Sequence, residues 1–192
     1  MAKVKAVDRW KSKQWYAVNA PEMFEGKKIA DVVAAEDKLL MNRIVRVSLA
    51  DMTGDMSQAY TLLDFRITDV KGKTAYTNFI GHELSRSYLR TLVRRRRNVI
   101  NEVVDVSTKD QRQIRLKASI FTGTKLSTPT RTLLRNRVRE EASKLAAESR
   151  YAQLVQELIF GKFASRLYNR INKLAPVRRV EIRKSELKES FA

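Results

Sequence analysis

The hydrophobic pattern changes period partway along this chain, and that change limits the folds open to it. Between residues 43 and 80 the period is two. Val45, Val47 and Leu49 alternate with Arg46 and Ser48, and Leu63, Phe65 and Ile67 alternate with Asp64, Arg66 and Thr68. Successive strand side chains point to opposite faces, so each set predicts a strand with one apolar side. The same period returns over 99–106 and over 112–121, where Ile114, Leu116, Ala118 and Ile120 lie opposite Arg115, Lys117 and Ser119. After residue 127 the spacing turns helical. Leu134, Val138, Ala142 and Leu145 form one stripe, and Tyr151, Val155, Ile159, Phe163, Leu167 and Ile171 form a second. Strands first and helices late predict an α+β fold, with an antiparallel sheet or partial β-barrel, one internal helix and C-terminal helices.

The turn residues divide this pattern. A short strand at 15–18 is stopped by Ala20-Pro21, with Trp15 expected in the core and Trp10 open to stacking on a base. Residues 27–33 are a weaker strand candidate. Lys71-Gly72-Lys73 predicts a hairpin turn into a strand at 74–80, and Thr108 to Gln111 a loop between an antiparallel pair. Between these pairs Ser85 is placed to cap a helix. Its stripe is Leu84, Tyr88, Leu92 and Val93, with Arg86, Arg90, Arg94 and Arg97 on the other side. Thr128-Pro129 starts the helical region, because proline at the first turn gives up no hydrogen bond. A break is expected near Ser149, and Gly161 implies close packing or a kink. Ala175-Pro176 ends the region before a last strand at 177–183. The organisation expected is a basic lead over 1–13, a single domain over 14–184 and a tail over 185–192.

Charge narrows the partner. The 192 residues carry 39 Lys and Arg against 21 Asp and Glu, a net +18, while 43% are hydrophobic. The chain can therefore build a core, but its self-repulsion calls for a polyanion. The charge is clustered. Residues 1–13 are net +4 (Lys3, Lys5, Arg9, Lys11, Lys13), and residues 86–97 are net +6 (Arg86, Arg90, Arg94, Arg95, Arg96, Arg97). Residues 131–139 are net +4 (Arg131, Arg135, Arg137, Arg139). Residues 162–184 are net +7, and include Arg166, Arg170, Lys173, Arg178 and Arg179. The rest of the chain is slightly acidic. A solvated face normally mixes both signs, and these segments hardly do. Arginine dominates them, which favours bidentate phosphate contact and base stacking. Several basic elements around one core suit an irregular folded RNA, and no DNA-reading motif is present.

Chemistry is sparse. Cys is absent and His82 is the one histidine, so thiolate and His-pair metal sites are excluded. Asp51, Asp55, Asp64 and Asp69 are the carboxylates a metal-dependent nuclease would use, but surface placement accounts for them. His82 is expected in a loop or at a helix start. No catalytic residue, metal or cofactor is assigned. No apolar run approaches the ~18 residues that span a bilayer, and no signal pattern opens the chain, so a cytoplasmic location is expected.

Several of these segments together resemble a known family. They are Trp15-Tyr16-Ala17-Val18 with Ala20-Pro21-Glu22-Met23-Phe24, then Val47-Ser48-Leu49-Ala50-Asp51-Met52, then Asp69-Val70-Lys71-Gly72-Lys73 with Thr77-Asn78-Phe79-Ile80-Gly81. In order and spacing they are similar to the archaeal and eukaryotic small-subunit ribosomal protein family often called S-one-e or S-three-A, over roughly residues 13–184. The resemblance implies an α+β structural protein with no catalytic residues. Its expected partners are small-subunit ribosomal RNA near the 3′ end, neighbouring platform proteins and messenger RNA near the exit. The short C-terminus looks archaeal. Two stretches depart from the family pattern. Residues 109–112 lack the glycine and aromatic usual in that turn, and residues 123–127 keep only Lys125 of a more basic loop.

Overall fold

A computed structural model describes Trp10 and residues 13–189. Eight strands form one mixed sheet that does not close into a barrel. They are β1 (Gln14–Asn19), β2 (Lys28–Ala34), β3 (Ile44–Ser48), β4 (Thr61–Lys71), β5 (Thr74–Leu84), β6 (Val99–Ser107), β7 (Gln113–Thr122) and β8 (Val177–Leu187). Between and after them come α1 (Leu49–Thr53), α2 (Arg86–Leu92), α3 (Thr128–Glu148), α4 (Tyr151–Ile159) and α5 (Lys162–Ile171). The α+β expectation holds. The sheet is antiparallel except where β1 runs parallel to β5 over Ala17–Asn19.

The long strand β5 is the seam of the sheet. One edge pairs with β4 along its length, through the Gly72-Lys73 hairpin turn. The other edge is shared: Thr74, Ala75 and Tyr76 pair with β1, and Gly81, His82 and Glu83 pair with β8. Bulges between Asp64 and Phe65 and between Ile67 and Asp69 let β4 and β5 curl. The curl brings β2 beside the start of β3, where Arg43 Nη1 donates to the Val33 carbonyl at 3.2 Å. Gly81 fits the seam because a Cβ there would lie 2.0 Å from the Ser185 carbonyl oxygen.

Two cores result. A small one fills the curl with Tyr16, Val18, Ala34, Leu40, Ile67 and Ala75. A larger one joins β4–β8 to the helical layer, with Phe65, Leu116, Ile120, Leu134, Leu154, Phe163 and Leu167 at its centre. Both predicted helical stripes are fully buried. Trp15 corrects an expectation. Period two allows only one of Trp15 and Tyr16 to face inward, and Tyr16 takes that side with its hydroxyl on Asp37 Oδ1 at 2.6 Å. Trp15 is 64% exposed.

The turns fall near their predicted places, with instructive differences. Pro129 stands in the first turn of α3, and Ser149 ends that helix. Gly161 takes φ +72°, so the second stripe is carried by two helices and not by one kinked helix. Strand β8 runs to Leu187, past the expected end at 183. The 108–112 turn contains Gln111 at φ +59°, a left-handed conformation that suits glycine better. Asp110 Oδ2 accepts from the Tyr151 N–H at 2.8 Å, which ties this turn to the start of α4.

His82 lies neither in a loop nor at a helix start. It is buried in β5, with Nε2 3.1 Å from the Ile182 carbonyl and Nδ1 2.6 Å from Ser185 Oγ. A carbonyl only accepts, so Nε2 carries the proton and the Ser185 hydroxyl donates to Nδ1. Burial depresses the imidazole pKa to about 4, so the ring is neutral. This contact helps fasten β8 to β5.

Candidate nucleic-acid interface

The arginine segment 86–97 follows directly from the seam. As β5 leaves β8 it enters α2, which has Ser85 at its N-cap position without a side-chain cap bond. Tyr88 anchors this short helix. Its ring stacks on Tyr60 at 3.8 Å with 10° between planes, and its hydroxyl donates to Glu181 Oε1 at 3.0 Å. Burial raises the Tyr88 pKa, so the phenol stays protonated.

The helix stops at Leu92, sooner than the wheel of four arginines predicted. Val93 is extended, and Leu84 belongs to β5. Like charges three and four apart oppose helix, so a four-arginine run is a poor continuation. The chain turns instead, with Arg96 at φ +58°. Asn98 then sets the start of β6: its carbonyl accepts from Thr122 N at 3.0 Å, and its Oδ1 accepts from Leu126 N at 2.6 Å.

This turn brings together charges that are distant in sequence. Arg94, Arg95, Arg97 and Arg178 line one hollow of about 510 Å³ with Val93. Arg86, Arg90, Arg94, Arg95, Arg96 and Arg178 are exposed. None of these, nor Arg97, meets a carboxylate among the described residues. Arg97 Nη1 is buried without a hydrogen-bond partner there, a donor that costs stability until an acceptor reaches it.

The arginines of the helical layer behave differently. Glu141 of α3, only 5% exposed, receives Arg137 at 3.1 Å, Lys144 at 3.8 Å and a close contact from Arg170 of α5. The Arg170 hydrogen bond holds its carboxyl below the usual range. Arg137 also meets Glu140, Arg139 meets Glu102 of β6, and Arg166 meets Glu157 at 3.0 Å. Arg179 pairs with Glu181 at 2.6 Å. Counting acids within residues 131–139 misses these partners, because they come from outside that stretch. Arg131 donates to Thr128 Oγ1, while Arg135 and Lys173 are exposed and meet no carboxylate among the described residues.

In the basic lead, Lys3, Lys5, Arg9 and Lys11 lie outside the described residues. Lys13 is exposed, with its Nζ 4.4 Å from the centre of the Trp10 ring. Tyr60 and Tyr88 lie 28 residues apart, so no local spacing in the sequence pairs them.

The carboxylates considered for a metal have structural roles. Asp64 takes a two-pronged contact from Arg46 at 2.6 and 2.8 Å. Asp69 meets Lys71 at 3.5 Å, and Asp55 Oδ1 accepts from Ser57 N at 2.9 Å. Asp51 lies in the first turn of α1. Among the described residues no three His, Asp or Glu side chains converge on a metal-sized space, and no helix is long and apolar enough to cross a membrane.

Comparison with known proteins agrees with the resemblance. The model of the ribosomal S3Ae family matches residues 1–190. Small ribosomal subunit protein eS1 of Methanococcus vannielii is 37% identical over 184 residues, covering 96% of this chain and 84% of that protein. The proteins of the same name from Saccharolobus islandicus and Saccharolobus solfataricus are each 37% identical over 180 residues, covering 94% of this chain and 86% of theirs. These relatives are archaeal. The chain belongs to the ribosomal S3Ae family: it is a structural protein of the small ribosomal subunit, not an enzyme.

Proposed function

We propose that this protein fixes small-subunit ribosomal RNA through the arginine corner formed by residues 86–97 and Arg178. The carrying observation is the convergence of Arg94, Arg95, Arg97 and Arg178 on one hollow with no carboxylate beside them among the described residues. Guanidinium groups without acidic partners keep their donors for phosphate, and each contact releases counterions from the RNA. Arg135, Lys173 and Lys13 extend the positive surface. The paired arginines 131, 137, 139, 166, 170 and 179 are secondary contacts, since part of their hydrogen-bonding capacity is already engaged.

The family resemblance supports a place on the platform, on the 3′ region of the RNA and near the messenger RNA exit, with platform proteins as neighbours. Photocrosslinking of assembled small subunits tests both parts, with the RNA sequenced and the crosslinked peptides identified. The expected result is peptides spanning Arg94–Arg97 joined to RNA near the 3′ end. Crosslinks confined to the helical layer, or to a distant part of the RNA, would overturn the reading.

A further inference from the structure

Next to the arginine corner, the fold opens a second hollow of about 490 Å³. Its origin is the short β5–β8 pairing. Beyond Gly81–Glu83 the strands part, β8 staying with β7 while β5 runs into α2. The gap that remains is closed from one side by the corner between α4 and α5. Its volume lies within the ~300–1,000 Å³ usual for sites that take small molecules or single chemical groups.

The lining is suited to a flat, polar-edged ring. Tyr60 and Tyr168 supply aromatic surface, Gln58 and Asn169 supply amides, and Arg178 is an exposed cation, while Arg179 is engaged by Glu181, which also lines the hollow. Tyr60 lines the hollow while its stacking partner Tyr88 does not, so the tyrosine stack borders the hollow at Tyr60. Gln58 Oε1 is buried and has no hydrogen-bond partner, so a small turn of the amide would offer an acceptor to an N–H donor. Arg178 lines this hollow and the arginine corner alike, so a single phosphate backbone can pass from one to the other.

We infer that the hollow holds one unstacked nucleobase of the bound RNA. The base lies against Tyr60 and extends the Tyr88–Tyr60 stack, Gln58 and Asn169 meet its polar edge, and Arg178 holds the flanking phosphate. This rests on the RNA-binding reading above and adds a substrate class: a single-stranded or bulged nucleotide, not a continuous duplex. Aromatic side chains hold splayed bases in this way because every base presents a π-face.

The test uses the full chain with two RNAs of equal charge, a single-stranded decauridylate carrying 5-iodouracil and a blunt-ended, fully paired duplex. Irradiation of the wild-type complex should crosslink the decamer to Tyr60 or Tyr168. Tyr60→Leu should weaken decamer binding about tenfold, consistent with the worth of one stacked base, and weaken duplex binding far less. Because Tyr60 also supports Tyr88, Ser165→Trp serves as the second variant. It fills the hollow from α5 and leaves the tyrosine pair and the arginines in place. It should abolish the crosslink and cause the same selective loss. If the Ser165→Trp protein binds and crosslinks the decamer like the wild type, the nucleobase site is wrong while RNA binding stands. If the wild type binds neither RNA, the RNA-binding reading itself fails, and the nucleobase site fails with it.

Discussion

Two groups of arginines in this molecule share a residue type and a similar local density, yet they end in opposite states. In the corner after α2, Arg94, Arg95, Arg97 and Arg178 gather around a hollow with no carboxylate among the described residues. On α3 and α5, Arg137, Arg139, Arg166 and Arg170 each reach an acid, and Glu141 alone draws three cations to one buried point. The difference is one of supply from elsewhere in the fold. Strand β6 and helices α3 and α4 bring Glu102, Glu141 and Glu157 to the helical arginines, whereas the corner has Tyr88, Val93 and Asn98 as its supports. The first group has donors left for a phosphate backbone, and the second helps to hold layers together.

The largest expected effect comes from emptying the corner. Replacing Arg94, Arg95, Arg97 and Arg178 together with alanine should weaken binding to small-subunit ribosomal RNA by about 100-fold or more, because charge-assisted bonds are among the strongest. Stability measured by urea denaturation should stay level or rise slightly, because Arg94, Arg95 and Arg178 are exposed and the buried Nη1 of Arg97 has no partner among the described residues. A large loss of stability with RNA affinity intact would reverse the comparison.

The seam that holds both regions gives the next effect. His82 has a folded pKa of about 4 against an ordinary 6.5, so the unfolded chain binds the extra proton first as pH falls. The stability it provides is complete above about pH 6.5 and falls toward pH 4, by about 2 kcal/mol at pH 5. Urea titrations at pH 7 and pH 5 check this. A His82→Gln protein should show a flatter response over that interval, and an equal slope in both proteins would remove His82 from the account.

A smaller effect is expected within the helical layer. Glu141→Gln should lower stability by about 1–2 kcal/mol, at the low end for a buried pair because its arginines are half exposed. RNA affinity should stay within about threefold, since the corner is untouched. The smallest effect belongs to Arg96. Its left-handed backbone costs about 1 kcal/mol in a non-glycine residue, so Arg96→Gly should raise stability by up to that amount. The same change removes one cation and should weaken RNA binding slightly. A thermal melt and a filter-binding titration on one preparation read both.

Much of the fold was legible because burial imposes periods that a sequence displays. The alternation of Ile114, Leu116, Ala118 and Ile120 and the four-residue spacing from Tyr151 to Ile171 both survive as buried faces. The strand at 15–18 places one ring inward but does not say which, and the phase shared with Tyr16 turns Tyr16 in and Trp15 out. His82 was misread because its partners, Ile182 and Ser185, lie about a hundred residues away. The length of α2 was overestimated because a helical wheel takes no account of repulsion along an arginine run. The candidate site was half legible. Local counting located all the basic segments that are described, but it did not separate the corner from the helical layer, because the acids that neutralise Arg139 and Arg166 arrive through tertiary contacts.

The most direct test of this division is the salt dependence of RNA binding. Each phosphate neutralised contributes about 0.7–0.9 to the slope of log affinity against log salt. The protein lacking Arg94, Arg95, Arg97 and Arg178 should lose about 3 from that slope. A protein with Arg137, Arg139, Arg166 and Arg170 replaced by alanine should lose less than about 1. Equal losses in the two proteins, or the larger loss in the second, would contradict the assignment of the corner as the RNA-holding surface.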